Sequence, residues 1–301
     1  MANHSDILAQ VSTALSARAA AARNEVAAIR LSGGRRLTGT VWRPDLIVTS
    51  EQSLPKRDTF DVVLGDGATA EAKLAGRDPG TNVAVLRLSP ASSTSAATGN
   101  AAAAVGTLAL AFGADGMGGA SVRLGLVNLV GPEWHSRAGG RIGSRIVLDM
   151  QLRPSEEGGP AFNAEGGRLG ITTFGPRRQI LVIPADTIET VLPSLLQDGR
   201  VARGWLGVAL QPVAVPDALQ PLAGQETGLM ALSVAKDGPA AKAGLIQGDV
   251  VLAVGGNSAR SVRGIVPSLG PDSVGKTATL RVLRGGTLVT LEVTIEARPT
   301  Q

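Results

Sequence analysis

Between residues 26 and 184 the sequence is a succession of short strand-like runs, and no other feature limits the possible folds so strongly. "VAAIRL", "LTGTVW", "LIVTS", "FDVVLG", "EAKLAG" and "NVAVLRL" come first, then "GTLALAFG", "SVRLGLVNLV", "RIVLDMQL", "RLGITTF" and "QILVIP". Gly, Pro, Asp and Asn punctuate them and little helical periodicity lies between, which predicts a mostly β fold built as an antiparallel barrel or sandwich. Aromatic residues make up only 2% and tyrosine is absent, so the cores must come from Val, Leu, Ile and Ala. A hydrophobic content of 44% with 18% charged residues is that of a folded chain, and 301 residues leave room for two domains.

Composition excludes several functions. The net charge of +4 comes without long basic runs, and stacking aromatics are scarce, so no nucleic-acid footprint is visible. Zero cysteines rule out disulfides, thiol catalysis and thiolate metal sites. The two histidines, His4 and His135, have no ligand spacing around them, so neither a metal nor another cofactor is expected. The apolar run at 101–112 is too short to span a bilayer. At the N-terminus, Ile7, Val11, Ala14 and Leu15 recur at helical spacing after Ser5-Asp6, predicting a helix over 1–24. The segment lacks the n- and h-regions of a secretory signal. A cytoplasmic chain is the expectation, with the periplasm or cell envelope as the alternative if a leader is missing. The stretch "ASSTSAATGNAAAA" from Ala91 reads as a long surface connection.

A helix over "PADTIETVLPSLLQDGR" ends at Gly199, with Ile188, Val191, Leu192 and Leu195 on one face. The pattern restarts at "RGWLGV", which places a domain boundary near 200 and separates residues 25–200 from 201–301. "RGWLGV", "GPAAKAGLIQGDVVLAVGG" and "TATLRVLRGGTLVTLEVTI" together resemble a PDZ domain of the HtrA/DegP type. The resemblance implies that Trp205, Leu206, Gly207 and Val208 present backbone N–H groups to a peptide C-terminus, with the peptide added as a strand at the sheet edge. Leu206 and Val208 would line the pocket for the last side chain, and Ile265 would contribute from the groove helix. That helix should cover "SVRGIVPSL", yet Gly264 and Pro267 weaken or kink a helix.

The first 200 residues are similar to the trypsin-like domain of the same family, a double β-barrel followed by the smaller α+β PDZ domain. "DLIVTSEQSL", "GRDPGTNVAVLRL" and "RPSEEGGPAFN" resemble its three catalytic segments, where Gln52, Asn82 and Glu157 occupy the histidine, aspartate and serine positions. Serine acyl transfer needs a hydroxyl, an imidazole and an orienting carboxylate. An amide is no base, and the remnant oxyanion turn Gly158-Gly159 would face a carboxylate. The expectation is therefore a non-enzyme, a pseudoprotease that binds protein C-termini or unfolded peptides as a scaffold or chaperone-like subunit, within a partner complex or as the homotrimer the family builds. The alternatives are a serine endopeptidase with relocated residues and a purely structural subunit. A Ser155–His135 pair and a Glu156/Glu157 acid–base pair are the relocations weighed. Adjacent residues on extended chain point apart, which disfavours the second. Arg141, Arg145, Arg153, Arg177 and Arg178 read as a solvated face, or as a cleft attractive to acidic peptides with Glu157 paired to one arginine. Because burial rather than the triad drives this fold, exchanging Gln52→His, Asn82→Asp and Glu157→Ser together is expected to leave the melting temperature within a few degrees.

Overall fold

A computed structural model describes residues 4–89, 91 and 99–299, so most of the connection that begins at Ala91 lies outside the described residues. The chain divides into two compact units, residues 1–134 with 142–200 and residues 135–141 with 201–301.

Two closed six-stranded antiparallel barrels make up the first unit, as the strand-like runs imply. The first barrel holds β1 (Val26–Arg30), β2 (Arg36–Arg43), β3 (Leu46–Ser50), β4 (Thr59–Val63), β5 (Thr69–Asp78) and β6 (Val83–Ser89), closed in the order β1-β2-β3-β6-β5-β4. The second holds β7 (Leu108–Ala114), β8 (Ala120–Gly131), β9 (Arg145–Asp149), β10 (Pro160–Asn163), β11 (Arg168–Phe174) and β12 (Ile180–Pro184), closed in the order β9-β12-β11-β10-β7-β8. Closure removes the edges that an open sheet would expose. The first interior is filled by Ile29, Leu37, Val41, Ile47, Phe60, Val62 and Leu86, the second by Ala109, Val127, Ile146, Leu148, Leu169 and Val182. Aliphatic side chains do fill these interiors, with Phe60 the one aromatic among the residues just named.

Helix α1 (His4–Ala22) forms where the helical spacing implies. Ile7 and Val11 remain exposed, and only the C-terminal end docks, with Leu15, Ala19 and Ala22 against a cluster containing Leu110, Phe112 and Phe162. Helix α2 (Ala185–Asp198) buries Ile188, Val191, Leu192 and Leu195, and its cap Gly199 takes a left-handed φ of 68°. The reason is general: a glycine ends a helix in that conformation without a Cβ penalty.

A buried ion pair fastens the two barrels to each other. Arg168 on β11 meets Glu25, just before β1, at 3.3 Å, and its guanidinium lies 3.8 Å from the ring centre of Trp42 on β2. Burial pulls the Arg168 guanidinium below its ordinary value, and Glu25 and Glu189 oppose that pull.

In the second unit, β13 (Val208–Ala214), β14 (Thr227–Val234), β15 (Val250–Val254), β16 (Thr277–Arg284) and β17 (Thr287–Thr294) pair in that order, so β13 is the terminal strand. The predicted groove helix is split into a helical turn, Val262–Ile265, and a 3-10 turn, Val266–Leu269. Pro267 has no N–H to continue the α-ladder, which accounts for the break. Asp249 beneath this sheet is opposed by burial but held below the usual carboxylate range by Arg284 and the Ile246 N–H.

Removing the charge that joins the barrels should be costly. Arg168→Ala takes the Arg168 guanidinium away from the buried Glu25, and a loss of about 3–5 kcal/mol is expected in urea unfolding. A loss below about 1 kcal/mol would show that the pair does not hold the barrels together.

Candidate functional site

The three segments read from sequence converge in the first unit. Gln52 sits on the 3-10 turn Glu51–Ser53 that follows β3, Asn82 immediately precedes β6, and Glu157 follows the 3-10 turn Pro154–Glu156. Glu157 is 4% exposed, and its carboxylate is the centre of a hydrogen-bond network. Oε1 accepts from Ser50 Oγ at 2.8 Å, Gln52 Nε2 at 2.6 Å, Thr173 Oγ1 at 2.7 Å and the Phe174 N–H at 3.3 Å. Oε2 accepts from Ser53 Oγ. A buried anion is tolerated only when donors replace its water, and here five do so.

Asn82 completes the network from the side. Its Oδ1 accepts from the Gln52 N–H at 2.7 Å and lies 3.2 Å from Ser50 Oγ, while Nδ2 donates to Thr173 Oγ1 at 2.7 Å. Its φ of 59° lies in the left-handed region, where Asn is among the most tolerated residues. The Gln52 amide also donates to the Phe174 carbonyl at 3.1 Å.

Sequence reasoning missed Ser50, Ser53 and Thr173. The signal was present, since hydroxyl residues flank position 52 and a Thr-Thr pair closes "GITTF". Their convergence depends on bringing β3 and β11, on different barrels, to one carboxylate. The expected arginine partner of Glu157 is also corrected. Among the described residues its partners are neutral donors, and the arginine goes to Glu156 instead. Arg123 meets Glu156 at 2.9 Å, with Ser121 Oγ at 2.8 Å and the Arg153 N–H at 2.7 Å. Burial raises the Glu156 carboxyl, but those donors outweigh it and hold the group below the ordinary carboxylate range. Neighbouring acids on this segment face opposite ways, so Glu156 and Glu157 form no acid–base pair. His135 groups with the second unit and Ser155 with the first.

The Gly-Gly-Pro turn is required by packing. Gly158 has a φ of 83°, and a Cβ there would strike the Thr49 hydroxyl and the Thr38 carbonyl; one on Gly159 would strike the Phe112 carbonyl. Thr38 Oγ1 donates to the Ser155 carbonyl at 2.7 Å, and Thr40 Oγ1 donates to that of Gly158 at 3.0 Å. Arg177 and Arg178 occupy an exposed turn with φ of 55° and 58°, and Arg178 lies 5.3 Å from the Phe174 ring centre.

In the second unit, the residues of interest are Leu206 and Gly207, in the loop before β13. Gly207 adopts a φ of 72°, and a Cβ there would press on the Trp205 ring and Pro239 at 3.2–3.3 Å. The carbonyls of Leu206 and Gly207 are held by the N–H groups of Ala240 at 2.8 Å and Ala235 at 2.7 Å. Among the described residues, the N–H groups of Leu206 and Gly207 donate to no other group. Leu206 and Ile265 belong to the core cluster of this unit, whereas Val208 and Leu210 are half-buried beside it. Leu206 is therefore core rather than the lining of an open pocket.

Comparison with known proteins places both units. The model of the trypsin-like peptidase domain matches residues 37–171, and that of the PDZ domain matches 204–295. The chain is 34% identical over 263 residues to a probable periplasmic serine endoprotease, DegP-like, of Brucella suis, covering 84% of this chain and 50% of the relative. It is 32% identical to the protein of the same name from Pseudomonas putida, covering 84% of this chain and 54% of the relative. The chain thus spans about half the length of these relatives. Among solved structures, the HtrA-type protease AlgW with a decapeptide aligns at a TM-score of 0.75 and 25% identity, over 95% of this chain and 99% of the other. AlgW with a tripeptide aligns at 0.73 and 27% identity, over 95% and 98%.

These relatives correct the expectation of a non-enzyme. They are named as serine endoproteases at 30–34% identity over 84% of the chain, which points to a protease. The substitutions at 52, 82 and 157 remove one way of activating a nucleophile. They do not account for the other hydroxyls that the fold gathers on the Glu157 carboxylate. The periplasmic names likewise leave the cytoplasmic expectation without support.

The network also changes what exchange at position 157 should do. Near-neutrality was expected of the joint exchange of Gln52, Asn82 and Glu157, but Glu157→Ala alone would leave five donors without their acceptor, at a cost of about 2–4 kcal/mol. Urea unfolding of the variant checks this, and a change within about 0.5 kcal/mol would mean that the network adds nothing to stability.

Proposed function

Because the chain belongs with the HtrA/DegP-like proteases, a trypsin-like peptidase domain followed by a PDZ domain, we propose that it is a peptide-handling protease of that kind, working in the periplasm. Its PDZ domain captures the free C-termini of protein chains, and its barrel domain acts on chains so captured. The observation that carries the binding half is the loop Trp205–Val208. Gly207 is in the αL conformation, the N–H groups of Leu206 and Gly207 are not otherwise used among the described residues, and the terminal strand β13 follows at once. Two adjacent uncommitted N–H groups suit a carboxylate, and a strand with one unpaired edge suits main-chain pairing with the rest of the peptide. The peptide-bound AlgW structures support the same reading.

A short added strand buries little area and must be ordered, so binding of micromolar strength is expected. Calorimetric titration should show that peptides ending in a small or medium apolar residue bind as free acids, and that C-terminal amidation weakens them at least about tenfold. Gly207→Ala should have a similar effect, since its Cβ presses on Trp205 and its φ is unsuited to alanine. Equal affinity for acid and amide forms would remove the carboxylate-capture reading.

A further inference from the structure

We infer that Ser53 is the nucleophile of the barrel domain and that Glu157 is its general base. This inference rests on the reading of the chain as a protease and assigns the residues that would do its chemistry. Three hydroxyls donate to the Glu157 carboxylate. Ser50 is fully buried and Thr173 is 3% exposed, so a substrate carbonyl cannot reach either. Ser53 is half-buried, and it alone of the three is both hydrogen-bonded to the carboxylate and open to solvent.

The two carboxylate oxygens have different surroundings. Oε1 is held by Ser50, Gln52, Thr173 and the Phe174 N–H, which fix the orientation of the group. Oε2 receives Ser53 alone among the described residues. One oxygen thus anchors the base, and the other is free to exchange a proton with a single hydroxyl. The turn that carries Ser53 is pinned as well. The Leu54 N–H donates to the Glu51 carbonyl at 3.1 Å, the Gln52 N–H to Asn82 Oδ1 at 2.7 Å, and Glu51 faces Arg77 at 3.7 Å. A nucleophile on its base, with the base oriented by further groups, is the arrangement that hydroxyl catalysis requires. Gln52 and Asn82 are then positioning residues. Ser155, the remaining hydroxyl of this segment, makes no side-chain hydrogen bond to a base among the described residues.

The reaction class is hydrolysis of a peptide amide or of an activated ester. The Ser53 Oγ–H proton passes to Glu157 Oε2 as Oγ bonds to the carbonyl carbon. When the tetrahedral adduct collapses, the C–N bond breaks and the leaving amine takes that proton from Glu157. A water molecule then attacks the acyl carbon and gives a proton to Glu157. The C–Oγ bond breaks, Ser53 recovers the proton, and the carboxylic acid leaves.

A fluorophosphonate probe tests this on the intact chain, since an activated serine displaces fluoride and keeps the phosphonyl group. Peptide mapping by mass spectrometry should place the adduct on Ser53. Ser53→Ala should lose labelling and casein cleavage, and Glu157→Gln should reduce both at least about 100-fold, the scale of a lost general base. Ser155→Ala should leave both unchanged. If Ser53→Ala does not fold, Ser53→Cys, close in size, should replace labelling by the probe with rapid alkylation by a peptidyl chloromethyl ketone. An adduct on another serine, or cleavage retained by the Ser53 variants, would overturn the assignment. So would a wild-type chain that neither labels nor cleaves while still preferring free-acid peptides, in which case the PDZ reading stands and the dyad fails. Loss of that acid preference would instead remove the reading on which the dyad rests.

Discussion

A single buried carboxylate organises the cleft of the first unit. Among the described residues Glu157 has no cation beside it, and it is sustained by five neutral donors drawn from β3, the turn after it, and the end of β11. The donors come from two segments, residues 50–53 and 173–174, so the carboxylate ties the rims of both barrels to the Gly-Gly-Pro turn. A buried charge with good hydrogen bonding rigidifies its surroundings, whereas the same charge partly satisfied would be costly. This constraint explains why Gln52 and Asn82 suit their places. One supplies an amide to the carboxylate, and the other holds the backbone of the first.

The second unit solves a related problem with backbone alone. Its donors at Leu206 and Gly207 belong to a loop whose carbonyls are already committed to Ala240 and Ala235. Only a residue at ease with positive φ can sit at 207. The two units therefore differ in what they offer a peptide. The loop presents hydrogen-bond donors to an acid, and the barrel cleft presents a hydroxyl backed by a carboxylate.

Much of this was legible in the sequence because it depends on local pattern. Alternating runs separated by turn residues gave the strands, and "RGWLGV" with "GPAAKAGLIQGDVV" marked the second domain and its donor loop. The segments around Gln52, Asn82 and Glu157 likewise identified which residues meet. Long-range partnership was not legible. Ser53 and Glu157 are 104 residues apart, and nothing in either neighbourhood states that their side chains touch. Charge proximity also misled: Arg153 is near Glu157 in sequence, yet only its backbone is used, and by Glu156. The exposed face of Ile7 and Val11 on α1 shows that helical spacing reports amphipathicity but not whether a partner surface covers it.

Amide hydrogen exchange, followed by mass spectrometry in the wild-type chain and in Glu157→Ala, tests the organising role of the carboxylate most directly. If Glu157 holds the cleft, exchange should rise in the variant over residues 50–54 and 172–175, while β13–β17 keep their protection. Unchanged exchange in those two segments would contradict the account, because the cleft would then be held without the carboxylate.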